Sequence, residues 1–179
     1  KSADAVIAYV KEHGLKVEWL LESHVHADHL SAAPYIQQQV GGKIGIGDRI
    51  KIVQDTFGKV FNEGTEFQRD GSQFDALFKE GDNFHIGQLR GDVLHTPGHS
   101  PGHVVLLHEA TAVSGDVLFA GSIGRTDLPG GDTATLMDSI RDRILTLPDH
   151  ARLFPGHGPD TTVSLERRSN PFVLQMLQG

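Results

Sequence analysis

The feature that most constrains this chain is Ser23-His24-Val25-His26-Ala27-Asp28-His29-Leu30, which crowds three imidazoles and a carboxylate into six positions. It directly follows the apolar run Val17-Glu18-Trp19-Leu20-Leu21, so a strand is expected to end where this loop begins. A buried strand would hold the root of the loop rigid while the loop aims its side chains. His24 and His26 share one face of an extended backbone, and Asp28 with His29 can turn towards a second point. Imidazole and carboxylate together suit zinc, iron or manganese. The chain has no cysteine, which argues against a closed structural zinc site and excludes disulfides and thiol nucleophiles.

Three later positions match the first in residue type and setting. His99 lies in Thr96-Pro97-Gly98-His99-Ser100-Pro101-Gly102-His103, Asp116 in Ser114-Gly115-Asp116, and His157 in Phe154-Pro155-Gly156-His157-Gly158-Pro159. Each is a metal-ligand type at the end of an expected strand, flanked by glycine, where backbone can approach closely without a Cβ clash.

The elements around these motifs follow from periodicity. Residues 2–14 read as an amphipathic helix capped by Ser2 or Asp4 and stopped by Gly14; 17–21 as a buried strand; 30–40 as a helix broken by Gly41-Gly42; and 43–46 as a strand. Residues 48–75 show no clean period and are read as partly helical, then irregular. From Phe74 a hairpin-rich antiparallel sheet is expected, with strands at 75–78, 83–86, 89–95, 104–107 and 112–119. A helix over 132–147, a short strand at 152–154 and a terminal helix ending at Asn170-Pro171 complete the reading. With 179 residues and no linker or low-complexity segment, 1–179 is expected to form a single domain. A net charge of −7 argues against nucleic-acid and acidic-membrane partners, and no apolar run is long enough to span a bilayer. With no leader pattern, a cytoplasmic location is the default expectation.

The order His-x-His-x-Asp-His at 24–29, then His99, Asp116 and His157, closely resembles the metallo-β-lactamase superfamily. The resemblance implies an α/β fold, an αββα sandwich with a dinuclear site at one edge. By that resemblance His24, His26 and His99 would hold one metal, Asp28, His29 and His157 the second, and Asp116 would bridge them. Two divalent ions would then share a water of lowered pKa, giving a metal-bridging hydroxide; Asp28 would aim it, and a metal would stabilise the oxyanion of the attacked carbonyl. Zinc is preferred on ligand type, and iron or manganese fit the same donors. The family usually opens with a few strands before its first helix. This chain starts at the helix, so a sandwich lacking the usual N-terminal strands is expected, with a homodimer covering the exposed sheet edge.

Two subfamilies compete for the substrate. From about Gly81 onward the chain resembles glyoxalase II (hydroxyacylglutathione hydrolase) and its short bacterial relatives, through the His99, Asp116 and His157 contexts, Gly124-Arg125-Thr126-Asp127, Glu166-Arg167 and Asn170-Pro171-Phe172. From Asp4 to about Gly81 it is more similar to persulfide dioxygenases, through residues 22–35 and Arg69-Asp70-Gly71. In that subfamily a single Fe(II) would use His24, His99 and Asp116. A natural mosaic or a chimera would account for both likenesses. Hydrolysis of a glutathione-linked thioester is the first expectation, and persulfide oxidation or metal binding without turnover are the alternatives. Arg125 either binds a substrate carboxylate or makes a loop salt bridge with Asp127 or Asp132. His103 either supports the ligands or merely packs. His13, His85, His95, His108 and His150 read as surface or structural.

Overall fold

The computed structural model describes residues 1–25, 31–60 and 74–179, with side chains from 56 to 60 left aside. The chain runs α1 (Ser2–Glu12), β1 (Trp19–Leu21), α2 (Ala33–Val40), β2 (Lys43–Gly47) and α3 (Ile50–Val60). It continues through β3 (Ala76–Phe78), β4 (Asn83–Ile86), β5 (Leu89–His95), β6 (Val104–His108), β7 (Thr111–Gly115), β8 (Leu118–Phe119) and β9 (Ser122–Ile123). Next come α4 (Thr133–Ser139), a π-helical turn (Ile140–Ile144), β10 (Arg152–Pro155), β11 (Thr161–Thr162), α5 (Val163–Ser169) and α6 (Pro171–Gln178).

Two sheets form the centre. The first has the order β1-β2-β3 and is wholly parallel; the second has the order β11-β10-β7-β6-β5-β4 and is antiparallel except between β7 and β10. Trp19, Leu21 and Phe78 of the first sheet meet Phe84, Val93, Val104 and Leu106 of the second in one apolar layer. On the outer face of the second sheet Val105, Ala112 and Leu153 pack with Leu136, Ile140, Ile144, Val163 and Val173 of the helices. With α2 packed against β2, this is the expected αββα layering.

The inner face of the second sheet is covered unevenly. Val93, Leu106, Val113 and Phe154 lie side by side in one cross-strand row. Val93 and Leu106 are buried under the first sheet, whereas Val113 is 47% and Phe154 37% exposed. β1 forms the edge of the first sheet among the described residues.

Several expectations are corrected. Residues 76–78 do not join the hairpin sheet but pair with β2 in parallel, where the Asp75 carboxylate accepts from Ile44 N–H and Gln37 Nε2. The expected strand 112–119 is broken after Gly115, whose φ of +53° turns the chain out of the ladder, and its far part forms a separate hairpin with β9. The helix over 132–147 is α4 followed by the π-helical turn, with Asp132 capping it by accepting from Thr135 N–H. Pro171 does not end the helical tail. It occupies the first turn of α6, and Asn170 caps that helix by accepting from Phe172 N–H and Val173 N–H. α1 starts with no side-chain cap, although Ser2 or Asp4 was expected to provide one.

Candidate metal centre

Each described ligand position follows a strand of the sandwich. His24 comes after β1, His99 between β5 and β6, Asp116 after β7 and His157 after β10. The loops are tied across the sheets: Val104 N–H donates to Ser23 O, and Gly156 N–H donates to Gly115 O. His24, His99 and Asp116 converge so that one ligand atom of each lies within 4.8 Å of the others. Both His24 Nε2 and His99 Nε2 stand 3.4 Å from Asp116 Oδ2, and His157 Nδ1 stands 3.0 Å from Oδ1. Four of the seven expected metal ligands are therefore together. The other three, His26, Asp28 and His29, lie outside the described residues.

The hydrogen bonds around the cluster fit a cation. His99 Nδ1 lies 2.7 Å from Arg125 O, and a carbonyl only accepts, so Nδ1 carries the proton. Its Nε2 lone pair is thereby left facing the Asp116 carboxylate, an acceptor set against an acceptor, which a cation between them would satisfy. A backbone carbonyl on the far nitrogen of a ligating imidazole also fixes its orientation and raises its basicity. Ser23 Oγ stands 2.9 Å from His24 Nδ1 and restrains that ring through the nitrogen that does not face Asp116. Burial pushes the His99 imidazolium towards deprotonation, the form that ligates. Burial alone would raise the Asp116 pKa, yet hydrogen bonds and charge from His24 and His157 hold it well below the ordinary carboxylate range.

Backbone without side chains lets these groups meet. A Cβ on Gly156 would stand 2.4 Å from Asp116 Oδ1, and one on Gly124 would collide with the Asp116 carbonyl at 1.8 Å. The β8–β9 hairpin closes one side, with the Phe119 ring edge-on to His157 at 5.8 Å. Behind it sits Glu166, almost wholly buried, accepting from Gly121 N–H, Thr161 Oγ1 and Asn170 Nδ2, while Asn170 Nδ2 also reaches the carbonyls of Phe119 and Ser122. Sequence reading singled out Glu166 and Asn170 only as parts of a resemblance. Their role in pinning the hairpin depends on contacts some 45 to 51 positions away in the chain, for which local pattern carries no signal. Arg125 forks onto Asp127 through two 2.8 Å hydrogen bonds, one of the two arrangements expected for it.

An αββα sandwich with a histidine and aspartate cluster at its edge defines a candidate metal-binding scaffold. The metallo-β-lactamase superfamily model matches residues 2–157, and the chain belongs to that family. It is 38% identical over 175 residues to hydroxyacylglutathione hydrolase GloC of Haemophilus influenzae, covering 96% of this chain and 82% of that protein. ETHE1 from Myxococcus xanthus is similar with a TM-score of 0.78 and 27% identity, covering 96% of this chain and 69% of that one. TTHA1623, solved in a di-iron-bound form, is similar with a TM-score of 0.72 and 32% identity, covering 94% and 84%. The chain spans about half the length of the first curated relatives it matches. Among the described residues no helix is long and apolar enough to cross a membrane.

Proposed function

We propose that the chain is a hydrolase of glyoxalase II type, cleaving the thioester of an S-2-hydroxyacylglutathione to a 2-hydroxy acid and the free thiol. The observation that carries this reading is the Asp116 carboxylate held between imidazoles on both oxygens, His24 and His99 at Oδ2 and His157 at Oδ1. A one-metal site needs only the first pair, and a two-metal site uses His157 as well. The likeness to GloC and to the di-iron-bound TTHA1623 supports the same choice.

In this reading His24, His26 and His99 would hold one ion, Asp28, His29 and His157 would hold the other, and Asp116 would serve both, with zinc the preferred metal. When bound, such a pair of ions supplies hydroxide at neutral pH and a Lewis acid for the carbonyl oxygen. The protein's own part is orientation. Arg125 O keeps the His99 lone pair aimed inward, Ser23 Oγ holds the His24 ring through Nδ1, and Asp28 would accept a hydrogen bond from the attacking water. Arg125 lines a pocket of about 580 Å3 with Ile123, Thr126, Met137, Phe172 and Met176, and its guanidinium would hold a substrate carboxylate there only by exchanging Asp127, onto which it is forked, for the substrate.

A second reading, an Fe(II) persulfide dioxygenase, is favoured by one observation: His24, His99 and Asp116 by themselves complete a two-His, one-carboxylate set. Metal analysis combined with two assays separates the readings. Two zinc ions per chain with hydrolysis of S-lactoylglutathione is the expected result. One iron per chain with oxygen uptake on glutathione persulfide would reject it for the second reading, and bound metal with neither activity would reject both.

A further inference from the structure

We propose that His103 is the positioning residue of this centre, a buried imidazole that registers three ligand-bearing segments on one another and so sets how tightly they grip a metal. The inference rests on the reading that His24, His99 and Asp116 hold a metal, and it assigns a role to a side chain outside the ligand set.

His103 is 1% exposed and touches each segment differently. Its Nε2 lies 3.0 Å from the backbone N of Asp116. A backbone N–H can only donate, so Nε2 is the acceptor and the ring proton sits on Nδ1. There it meets Thr96 Oγ1 at 2.8 Å. Thr96 N–H in turn donates to His103 O at 2.9 Å, so the same two residues close the loop that carries His99. Finally, the ring stacks on His24, with centroids 4.8 Å apart and planes 24° apart, and stands edge-on to His99 at 6.2 Å. One imidazole thus holds the backbone of Asp116, the base of the His99 loop and the face of His24.

The contact with Asp116 explains the residue before it. A Cβ on Gly115 would lie 2.5 Å from His103 Nε2 and 2.7 Å from Ser23 Oγ, and its φ of +53° also favours glycine. The turn is shaped to bring the Asp116 N–H onto this ring. An apolar side chain of similar size would fill the volume but leave that N–H buried without an acceptor, and the turn would be free to shift away from His24 and His99.

The test compares wild type with His103→Leu, His103→Gln and Thr96→Val. Two readouts use metal-free protein: nitrogen NMR of the His103 ring, and hydrogen exchange at the Asp116 amide. The third is zinc affinity by competition with a chromophoric chelator. Wild type should show the Nδ1–H tautomer and a protected Asp116 amide. His103→Leu should lose that protection and bind zinc about 10- to 100-fold more weakly, the usual cost of removing a group that orients a ligand. His103→Gln, which keeps an acceptor near the place of Nε2, should recover most of the affinity, and Thr96→Val should fall between. Unchanged zinc affinity in His103→Leu, equal damage from Leu and Gln, or an Nε2–H tautomer would each overturn the proposal. Should His103→Leu fail to fold, unchanged exchange and affinity in Thr96→Val would do so. A wild-type protein that takes up none of zinc, iron or manganese would reject the metal reading itself, while the two metal-free measurements would still decide the part played by His103.

Discussion

The two oxygens of Asp116 lie in different surroundings. Oδ2 faces His24 and His99, both backed by a partner on the other ring nitrogen, Ser23 Oγ and Arg125 O, and His99 is almost wholly buried. Oδ1 faces His157, whose side chain is 76% exposed and whose described contacts are this carboxylate and the edge of Phe119. On the Oδ2 side the donors are aimed before any ion arrives. On the Oδ1 side an exposed side chain must be ordered as the ion binds, which costs conformational entropy. In the two-ion reading proposed above, the centre should therefore load in sequence, the His24–His99 side first.

The largest effect should come from Asp116→Ala, because that carboxylate serves both sides. Loss of an orienting neighbour costs about 10- to 100-fold in metal affinity, and loss of a shared ligand should exceed about 100-fold. Elemental analysis after gel filtration should find less than one ion per chain, and activity should vanish. Retention of two ions would break the assignment of Asp116 to both sides.

A sharper instrument is His157→Ala. It should weaken the later-loading ion by at least about tenfold and leave the earlier one within about threefold, so that a two-step calorimetric titration becomes a one-step titration. If both steps weaken equally, the two sides form one cooperative unit and the contrast drawn above is wrong. A protein kept in its one-ion form would also show whether thioester hydrolysis requires the Oδ1 side.

How much of this was legible in the sequence differs between ligands and frame. The ligands carry their chemistry in their identity, and His24, His99, Asp116 and His157 come together as their contexts implied. The frame depends on partner choice, which is not local. Ala76–Phe78 has an ordinary strand pattern that does not state which sheet it enters, and its parallel pairing with β2 brings together residues some 31 positions apart. Pro171 reads as a stop, yet proline in the first turn of a helix is also a start signal, and only Asn170 accepting from Phe172 and Val173 settles which applies. His103 could be marked as buried or supporting but not distinguished, since its acceptor role exists only once the turn at Gly115 brings Asp116 N–H against it. The exposed pair Val113 and Phe154 was equally illegible, because alternation places them on a face without stating what covers it.

The smallest effect expected is that of Phe119→Ala, and it bears most directly on why the two sides differ. The Phe119 ring meets the His157 ring edge-on at 5.8 Å, and its backbone is pinned by Asn170 Nδ2. Removing the ring leaves that hydrogen bond and the buried Glu166 network in place, so the hairpin should persist and the melting temperature should move little. His157 would lose a wall that restricts its rotamers, a contact of the order of 1 kcal/mol for an aromatic pair. The later-loading ion should then weaken about threefold to fivefold, with the earlier one unchanged. A loss as large as that of His157→Ala would mean that Phe119 holds the imidazole in place almost alone. No change would mean that the Asp116 carboxylate already orients it, and the exposed side would be better ordered than its surroundings imply.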